Sequence, residues 1–201
     1  MEQTMDIILS TRNPSKVTQI QELFGASNIH VLTLDDAHIE GEAIEDGALL
    51  EENAFNKAWF AYENIGRNAW TMADDTGLFI KVLDGEPGIY AARWAGEKAS
   101  TEETMNFCLQ KLQGIKDRSA AFRTAVVLIS PNGEPHMFFG EVNGHLLTAP
   151  RVPPQPKMPY SSLFVPEGQG LSWAEMTTQQ ENALSHRGNA FRQAKSFLED
   201  L

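Results

Sequence analysis

The chain has almost no cysteine, no long hydrophobic runs and fewer basic than acidic residues. Its 201 residues include one cysteine, Cys108, which excludes an internal disulfide framework and favours a reducing compartment. No apolar run approaches the roughly 20 residues needed to cross a bilayer. The segment Met1 to Asp6 lacks the basic and apolar regions of a signal peptide. We therefore expect a cytoplasmic protein with no membrane partner, in which Cys108 is a core residue.

The charge balance also limits the ligands. Lys and Arg together number 16 against 27 Asp and Glu, a net charge of −11. A protein that coats nucleic acid neutralises phosphates with many cations, so we expect no nucleic-acid partner. Eight of the acidic residues lie between positions 35 and 52, where there is no Lys or Arg. The rest of the chain is nearly balanced and leaves room for a local basic pocket.

The order of the predicted elements indicates a mixed α/β protein, and the length fits a single domain over residues 1–201. Apolar patterns predict strands at 5–9, 30–34, 70–73, 78–83, 120–129 and 136–142. Helical spacing and capping residues predict helices at 17–24 and 49–64, and helices that begin after Ser100 and Ser185. The last two strands form an antiparallel hairpin. Five prolines between positions 150 and 159 predict a loop.

Two motifs combine groups that bind anions. Ser10 to Lys16 lies between a predicted strand and a helix, where hydroxyls, a lysine and helix N–H groups form an anion cradle. The alternative is an ordinary polar turn that caps the helix. Ser185 to Gly188 places His186 and Arg187 in the first turn of a helix, which is unfavourable unless an anion is bound. The alternative there is a solvated surface pair.

Two other motifs carry carboxylates. Glu51 to Ala54, with Lys57, lies on one helix and offers an oxygen ligand for a hard cation, or else a solvated helix face. Asp74 to Gly77 lies between two predicted strands. One carboxylate there can hold a metal or water while the other accepts backbone N–H bonds, but an Asp-rich turn closed by Gly77 fits as well.

Taken together and in this order, the motifs resemble the inosine triphosphate pyrophosphatases, which hydrolyse deaminated purine nucleoside triphosphates. The resemblance covers essentially the whole chain and rests on the following segments: Thr11-x-Asn13-x-x-Lys16, Glu52-Asn53-Ala54-x-x-Lys57-Ala58, Asp74-Asp75-Thr76-Gly77, Leu83-x-Gly85-x-Pro87-Gly88-Ile89-Tyr90-x-Ala92-Arg93, Pro166-x-Gly168, Ala174-Glu175-Met176 and Ser185-His186-Arg187.

The resemblance implies an elongated α/β fold of two lobes, with flanking helices and a nucleotide cleft between the lobes, and a homodimer. It implies that Thr11, Asn13 and Lys16 hold the triphosphate and that His186 and Arg187 contact the nucleotide from the other lobe. Glu52 and Asp75 are then the Mg²⁺ ligands, and Asp75 is also the general base. Thr76 stands where the family usually has Ser, and keeps the hydroxyl.

Three departures from the family pattern bear on the choice of substrate. In the base-binding loop, Met158 replaces a stacking Phe and Ser161 replaces an Asp, while Tyr160 is retained as a possible stacking ring. Glu181 replaces a Lys, which reverses the charge. Arg12 and Ser15 replace small residues in the first loop. The residues that the resemblance assigns to the triphosphate and the metal are thus in place, with Thr76 for Ser, beside a rebuilt base site, and we expect a shifted base preference.

Two alternatives remain open from the sequence. The chain could be a nucleotide-binding protein with little turnover, which would bind tightly and release no pyrophosphate. It could also be related to the Maf-like pyrophosphatases, although the Ser185-His186-Arg187 and Pro87-Gly88-Ile89-Tyr90 segments fit the first family better.

Overall fold

The computed structural model describes residues 4–25 and 27–201. Part of the segment Met1 to Asp6, used above to exclude a signal peptide, therefore lies outside the described residues. The described strands are β1 Met5–Leu9, β2 Ile29–Thr33, β3 Trp70–Ile80, β4 Pro87–Gly88, β5 Ser119–Ile129, β6 Pro135–Leu146 and β7 Phe164–Pro166. The described α-helices are α1 Pro14–Phe24, α2 Leu50–Asn64, α3 Thr101–Lys111, α4 Thr178–Leu184 and α5 His186–Glu199.

The strands form one mixed sheet, which confirms the predicted α/β class. Their order is β2-β1-β3-β5-β6-β7, and β4 pairs with β3 outside this path. β1 is parallel to β2 and β3, whereas the other pairs are antiparallel. The long strands β3 and β5 pair over ten positions, from Thr71 opposite Ile129 to Ile80 opposite Ala120. They therefore extend from one end of the sheet to the other.

Separate apolar clusters cover the two ends of these long strands and so form two lobes. At one end, α1 and α5 pack on β1, β2 and the residues Met72, Val126 and Leu128. At the other end, α3 and β7 pack on Leu78 and Phe122. The helix α2 covers the opposite face through its alanines. Burial of these apolar faces is what stabilises the layers.

One predicted boundary is wrong. The sequence indicated two strands, 70–73 and 78–83, separated by a turn at Asp74 to Gly77. The structure has one continuous strand, β3, through both aspartates, and Lys81–Leu83 is a short 3₁₀ turn. Two adjacent carboxylates can remain in this strand because the helices packed on its two faces provide a cationic partner for each of them.

Local capping signals locate most helix starts. Asn13 caps α1 by accepting from the backbone N–H groups of Ser15 and Lys16. The predicted capping box of Ser100 is present at α3, and Ser185 caps α5 by accepting from the Gly188 N–H. The helix α4 was not predicted, although Thr177 and Gln180 form a capping box at its start. Residues 150–159 contain neither helix nor named strand, as predicted.

Cys108 is a core residue, as the sequence indicated. It lies on α3 with no exposed surface, and burial raises the pKa of its thiol to about 12. A thiol with that pKa is not ionised at neutral pH and is a poor nucleophile. As for bilayer contact, none of the helices in residues 4–25 and 27–201 has the length and apolarity needed to cross a membrane.

Candidate functional site

A gap along one edge of β3 positions the candidate site. β1 pairs with residues 70–72 of β3, and β4 pairs with residues 78–79. Between them, residues 73–77 pair with β5 on one edge, and no described strand pairs with the other edge. The wall of a cavity of about 300 Å³ includes Asp75 and Thr76 from this stretch. This is the region beyond the carboxyl end of the parallel strand β1, where α/β proteins commonly bind ligands.

Asp74 points to the face of β3 that α1 and α5 cover. Its side chain has no exposed surface, and Oδ2 accepts from Lys16 Nζ at 2.8 Å and from Arg187 Nε at 3.4 Å. Burial alone would raise the pKa of Asp74, but the two cations outweigh it and hold this pKa well below its usual range. Asp74 is therefore ionised and anchors two cations.

Asp75 points to the opposite face, towards α2. Its Oδ1 accepts from Lys57 Nζ at 2.7 Å, and its Oδ2 accepts from Asn53 Nδ2 at 3.3 Å. Burial raises the pKa of Asp75, and the attraction of Lys57 only partly offsets this. Lys57 also lies 3.4 Å from Glu45 Oε1. Burial opposes its charge, but Asp75 and Glu45 together raise the pKa of Lys57.

The first loop forms one wall of the cavity. Asn13 is fixed by its capping bonds, and its backbone N–H donates to Thr11 Oγ1 at 3.2 Å. Lys16 lines the cavity with a side chain that is 14% exposed. Burial lowers the pKa of Lys16, although Asp74 opposes this shift. The loop thus presents hydroxyl, amide and ammonium groups to one region of the cavity.

The proline-rich loop of residues 150–159 packs against the first loop and helps to enclose the cavity. Asn13 Nδ2 donates to the carbonyl of Lys157 at 3.3 Å, and Ser15 Oγ donates to the carbonyl of Pro156 at 2.9 Å. Lys157 Nζ in turn donates to the carbonyl of Arg12 at 3.2 Å. The two loops, about 140 residues apart in sequence, are therefore joined by three direct hydrogen bonds.

Aromatic rings form another part of the wall. His186 stacks on Phe122 with ring centroids 4.8 Å apart and an interplanar angle of 11°, and Trp173 lies 6.4 Å from His186. Neither ring nitrogen of His186 has a hydrogen-bond partner among the described residues, and the same holds for Trp173 Nε1. Burial lowers the pKa of His186 well below its usual range, so the ring is neutral. Buried polar atoms without partners are rare and often mark ligand-contacting positions.

Arg187 is not left with an unfavourable charge at the start of α5. Besides Asp74, its Nη1 donates to Gln19 Oε1 at 2.7 Å. The anion expected from the helix-dipole argument is therefore already supplied by the protein. Arg187 still lines the cavity, as does Thr76, whose hydroxyl donates to Asp74 at 3.2 Å.

The residues of the rebuilt base loop are also in the cavity wall. Tyr160 is buried and donates from its hydroxyl to the carbonyl of Ala91 at 2.8 Å, so its ring is fixed in the core rather than free to stack. Ser161 Oγ donates to the carbonyl of Met158 at 2.8 Å. Glu181 is 2% exposed and accepts from Gln155 Nε2 at 3.1 Å.

Almost all of the site residues predicted from the sequence lie in the wall of this cavity, and Glu52 is the exception. Its exposed carboxylate accepts from the N–H groups of Ala48 at 2.7 Å and Leu49 at 3.2 Å at the start of α2. The metal role of Glu52 therefore stays a prediction. The predicted residues that line the cavity are Thr11, Asn13, Lys16, Asp75, Thr76, Met158, Tyr160, Ser161, Glu181, His186 and Arg187.

Some wall residues were not assigned a role from sequence. Lys57 was part of a quoted motif, and its position one turn after Asn53 was the available signal. Glu45 lies in the acidic segment, where nothing singled it out from its neighbours. Phe122 and Trp173 look like ordinary core residues in the sequence.

The fold and the cavity define a mixed α/β protein with a cation-lined cleft beside a pair of buried aspartates. Comparison with known proteins then gives the family: the Ham1 family model matches residues 7–197, and the chain belongs to the Ham1 family. The chain is 37% identical over 194 residues to a dITP/XTP pyrophosphatase of Geobacter sulfurreducens, covering 96% of each chain. It is 34% identical to that of a Thermoanaerobacter species, again over 96% of each.

Solved structures agree with this assignment. The Ham1 protein of Staphylococcus aureus superimposes with a TM-score of 0.81 at 30% identity, covering 97% of this chain and 98% of that one. A HAM1 protein from Coxiella burnetii gives a TM-score of 0.84 at 30% identity, covering 98% and 100%. The predicted fold class and family are confirmed.

Proposed function

We propose that the chain hydrolyses a purine nucleoside triphosphate to the monophosphate and pyrophosphate, and so removes deaminated or modified bases from the nucleotide pool. The observation that carries the proposal is the position of a buried carboxylate, Asp75, which pairs with Lys57, in the same cleft wall as the cations Lys16 and Arg187. The relatives named dITP/XTP pyrophosphatases support the same activity. The enzyme is thus a hydrolase that acts on an acid anhydride.

The triphosphate is proposed to lie against the first loop. Lys16 and Arg187 supply positive charge there, while Thr11 and Asn13 supply hydrogen-bonding groups. Both cations are already oriented by Asp74, so they require little reorganisation when a phosphate arrives. Thr76 adds a hydroxyl beside Asp74. A cleft in which cations are oriented in advance suits a compact polyanion.

In the reaction, Asp75 is the proposed base. It accepts a proton from a water molecule whose oxygen forms a bond to the α-phosphorus, while the bond between that phosphorus and the bridging oxygen breaks and pyrophosphate leaves. A carboxylate whose pKa is raised by burial is a better proton acceptor than a solvated one. Lys57 and Asn53 hold the carboxylate in a fixed orientation.

The residues present also fit a divalent metal, which we propose to be Mg²⁺. Asp75 and Glu45 carboxylates both approach the Lys57 ammonium, so this part of the cleft already accommodates positive charge between hard oxygen donors. Within the described ranges, no three His, Cys, Asp or Glu side chains cluster as a metal site. Asp75 would therefore hold the ion together with phosphate oxygens, as is usual for Mg²⁺. When bound, the metal neutralises phosphate charge and polarises the reacting phosphorus.

The base is proposed to lie between the aromatic wall and the proline-rich loop. Phe122, His186 and Trp173 provide flat apolar surface, and Met158 faces the same cavity with a flexible thioether. Stacking of a base on a protein ring contributes about 1–3 kcal/mol. We also propose that residues 1–201 act as one domain, as the length indicates, and that the protein is cytoplasmic, as its single cysteine favours. The family resemblance supports a homodimer.

The test is to incubate the protein with ITP, XTP, GTP, ATP and dUTP in Mg²⁺ and to measure pyrophosphate and orthophosphate separately. We expect pyrophosphate with equimolar monophosphate, and loss of turnover when EDTA is added. Tight binding without pyrophosphate would favour the alternative of a nucleotide-binding protein. Release of orthophosphate alone would contradict attack at the α-phosphorus.

Replacing His186 by phenylalanine should separate stability from substrate binding. The change keeps the ring on Phe122 and removes two buried nitrogens that have no partner among the described residues. We expect the free protein to gain about 1 kcal/mol in unfolding free energy. The KM for the triphosphate should rise at least about tenfold, which is the effect of losing roughly 1.4 kcal/mol of contact.

Thermal unfolding and initial rates over a range of substrate concentrations measure both effects. The variant Trp173→Phe is the control, because it removes one N–H that has no partner among the described residues but keeps an aromatic surface. A less stable His186→Phe protein with an unchanged KM would show that the histidine is a core residue with no ligand contact.

A further inference from the structure

Glu181 differs from the other buried carboxylates of the cleft because no cation in the described part of the chain forms a direct ion pair with it. It is 2% exposed, lies in the first turn of α4 and forms part of the cavity wall. Asp74 and Asp75 each have a lysine nitrogen within 3 Å. By contrast, no Lys, Arg or His nitrogen in the described part of the chain lies within 4 Å of the Glu181 carboxylate. Its charge is therefore not neutralised by a direct ion pair.

A neutral amide holds Glu181 in place instead. Gln155 Nε2 donates to Oε2 at 3.1 Å. Burial raises the pKa of Glu181, and the bond from Gln155 and the longer-range attraction of Arg187 offset the shift only in part. An ionised carboxylate has about four positions that accept hydrogen bonds, so one amide donor leaves capacity for donors from a ligand. Gln155 Oε1, on the same amide group, is a further buried acceptor with no partner among the described residues.

The position of Glu181 indicates which part of a nucleotide it meets. Gln155 belongs to the proline-rich loop, and its backbone N–H donates to Ser161 Oγ at 2.8 Å, close to Met158. A carboxylate with no cation in direct contact repels phosphate oxygens, so this wall is less suited to the triphosphate than the first loop is. It is suited to an uncharged heterocycle that presents N–H donors, next to the flat surface of Phe122 and His186.

We propose that Glu181 is a specificity-determining residue that shifts the base preference from fully deaminated purine nucleoside triphosphates, which carry only keto oxygens, towards modified ones that keep an exocyclic amino group. This inference rests on the proposed function, because it assumes a nucleoside triphosphate in the cleft. An amino group donates to the carboxylate, and an amino group beside a ring N–H donates to both of its oxygens. A keto oxygen at the same place is an acceptor like the carboxylate oxygen that it faces. No hydrogen bond forms between them, and the buried carboxylate lacks a donor from the base.

Pairs of substrates that differ at one position isolate the amino group. GTP differs from ITP only in its 2-amino group, and ATP differs from ITP in the 6-amino group and the adjacent ring protonation. We would measure kcat/KM for pyrophosphate release from these three and from the 2,6-diaminopurine and xanthine triphosphates. The expected result is that at least one amino-bearing purine exceeds ITP by about tenfold or more.

Two variants of Glu181 make the test specific. Glu181→Lys replaces the acceptor by a donor and should lower the ratio of amino-bearing substrate to ITP at least about tenfold. Glu181→Gln has the same shape without the charge, is more certain to fold, and should lower the ratio in the same direction. Glu134→Lys makes the same charge change at an exposed position of the β5–β6 turn and should leave the ratio unchanged.

The outcomes separate this inference from the proposed function. If ITP or XTP is the best substrate of the unmodified protein, or if neither Glu181 variant lowers the ratio, the inference is overturned while the pyrophosphatase function stands. If no triphosphate yields pyrophosphate, the proposed function fails. Calorimetric affinities for GTP and ITP with Ca²⁺ in place of Mg²⁺ then still decide whether Glu181 prefers an amino-bearing base.

Discussion

Replacing Asp75 by asparagine is expected to reduce pyrophosphate release by at least about 10³-fold, because an amide cannot take a proton from water and is a weak ligand for a hard cation. The side chain is only 10% exposed, and both of its oxygens are engaged, with Lys57 and Asn53. Asparagine has nearly the same shape, so the geometry of the wall should persist. The measurement is single-turnover and steady-state release of pyrophosphate in Mg²⁺.

Binding without turnover distinguishes a chemical role from a structural one. We expect the Asp75→Asn protein to bind the triphosphate within a few-fold of the original affinity, because Lys16 and Arg187 keep their contacts with Asp74. Removing one negative charge from the cleft should if anything favour a polyanion. Unchanged turnover would remove Asp75 from its proposed role, whereas loss of folding would be visible in the unfolding curve.

Two companion variants decide which glutamate assists Asp75. The family resemblance implies Glu52, but its carboxylate bonds to the backbone at the start of α2. Glu45 shares the Lys57 ammonium with Asp75. Glu52→Gln can keep the capping bonds, so we expect little change in the Mg²⁺ concentration that gives half-maximal rate. Glu45→Gln should raise that concentration several-fold. The reverse result would support Glu52 as the ligand.

The parts of the fold that sequence predicts well are those with local causes. Asn13, Ser100 and Ser185 each accept a backbone N–H within three residues, so the helix starts can be found without knowing the rest of the chain. The hairpin between β5 and β6 follows from Ser-Pro-Asn-Gly-Glu-Pro between two β-rich runs. These features depend on neighbours in sequence.

Asp74 and Asp75 show why the rest was harder to predict. Two adjacent charges in a strand point to opposite faces, and burial of both appears unfavourable from local sequence. The compensating groups lie far away: Lys16 is 58 residues before Asp74, and Arg187 is 113 residues after it. The sequence motif indicated that these residues matter, but only the three-dimensional arrangement assigns one aspartate to each face.

The residues of the candidate site also fall into two groups, those that the sequence can identify and those that it cannot. Residues with polar or charged side chains in unusual local patterns, such as Lys16 and Arg187, could be identified from sequence. Phe122 and Trp173 could not, because an aromatic residue in an apolar context is typical of a core. Their role depends on the stacking of Phe122 with His186, which joins β5 to the start of α5.

The largest expected effect on stability comes from replacing Asp74 by asparagine, which should lower the unfolding free energy by about 3–5 kcal/mol. The carboxylate has no exposed surface and is paired with both Lys16 and Arg187. An amide leaves these two buried cations without a counter-charge. Its NH₂ group would also occupy the position of Oδ1, which has no partner among the described residues. Removing one member of a buried ion pair therefore lowers the unfolding free energy by much more than the net stabilisation that the intact pair provides.

The measurement is chemical denaturation without metal or nucleotide, compared with Asp35→Asn. Asp35 makes the same kind of contact, with Arg12 at 2.5 Å, but its side chain is 85% exposed. Solvent screens such a pair, so its loss should change the unfolding free energy by no more than about 1 kcal/mol. Equal effects of the two substitutions would contradict a stabilising role that depends on burial.

The pH dependence gives an independent check, because the folded pKa of Asp74 lies below its unfolded value of about 3.9. The unfolded chain then takes up the proton first, so the contribution of Asp74 is complete above that unfolded pKa and declines as the pH falls towards the folded one. The stability difference between the original protein and Asp74→Asn should therefore be constant from about pH 5 to pH 8 and shrink only below about pH 4. A difference that fell steadily between pH 8 and pH 5 would indicate that another group, and not the Asp74 carboxylate, balances Lys16 and Arg187.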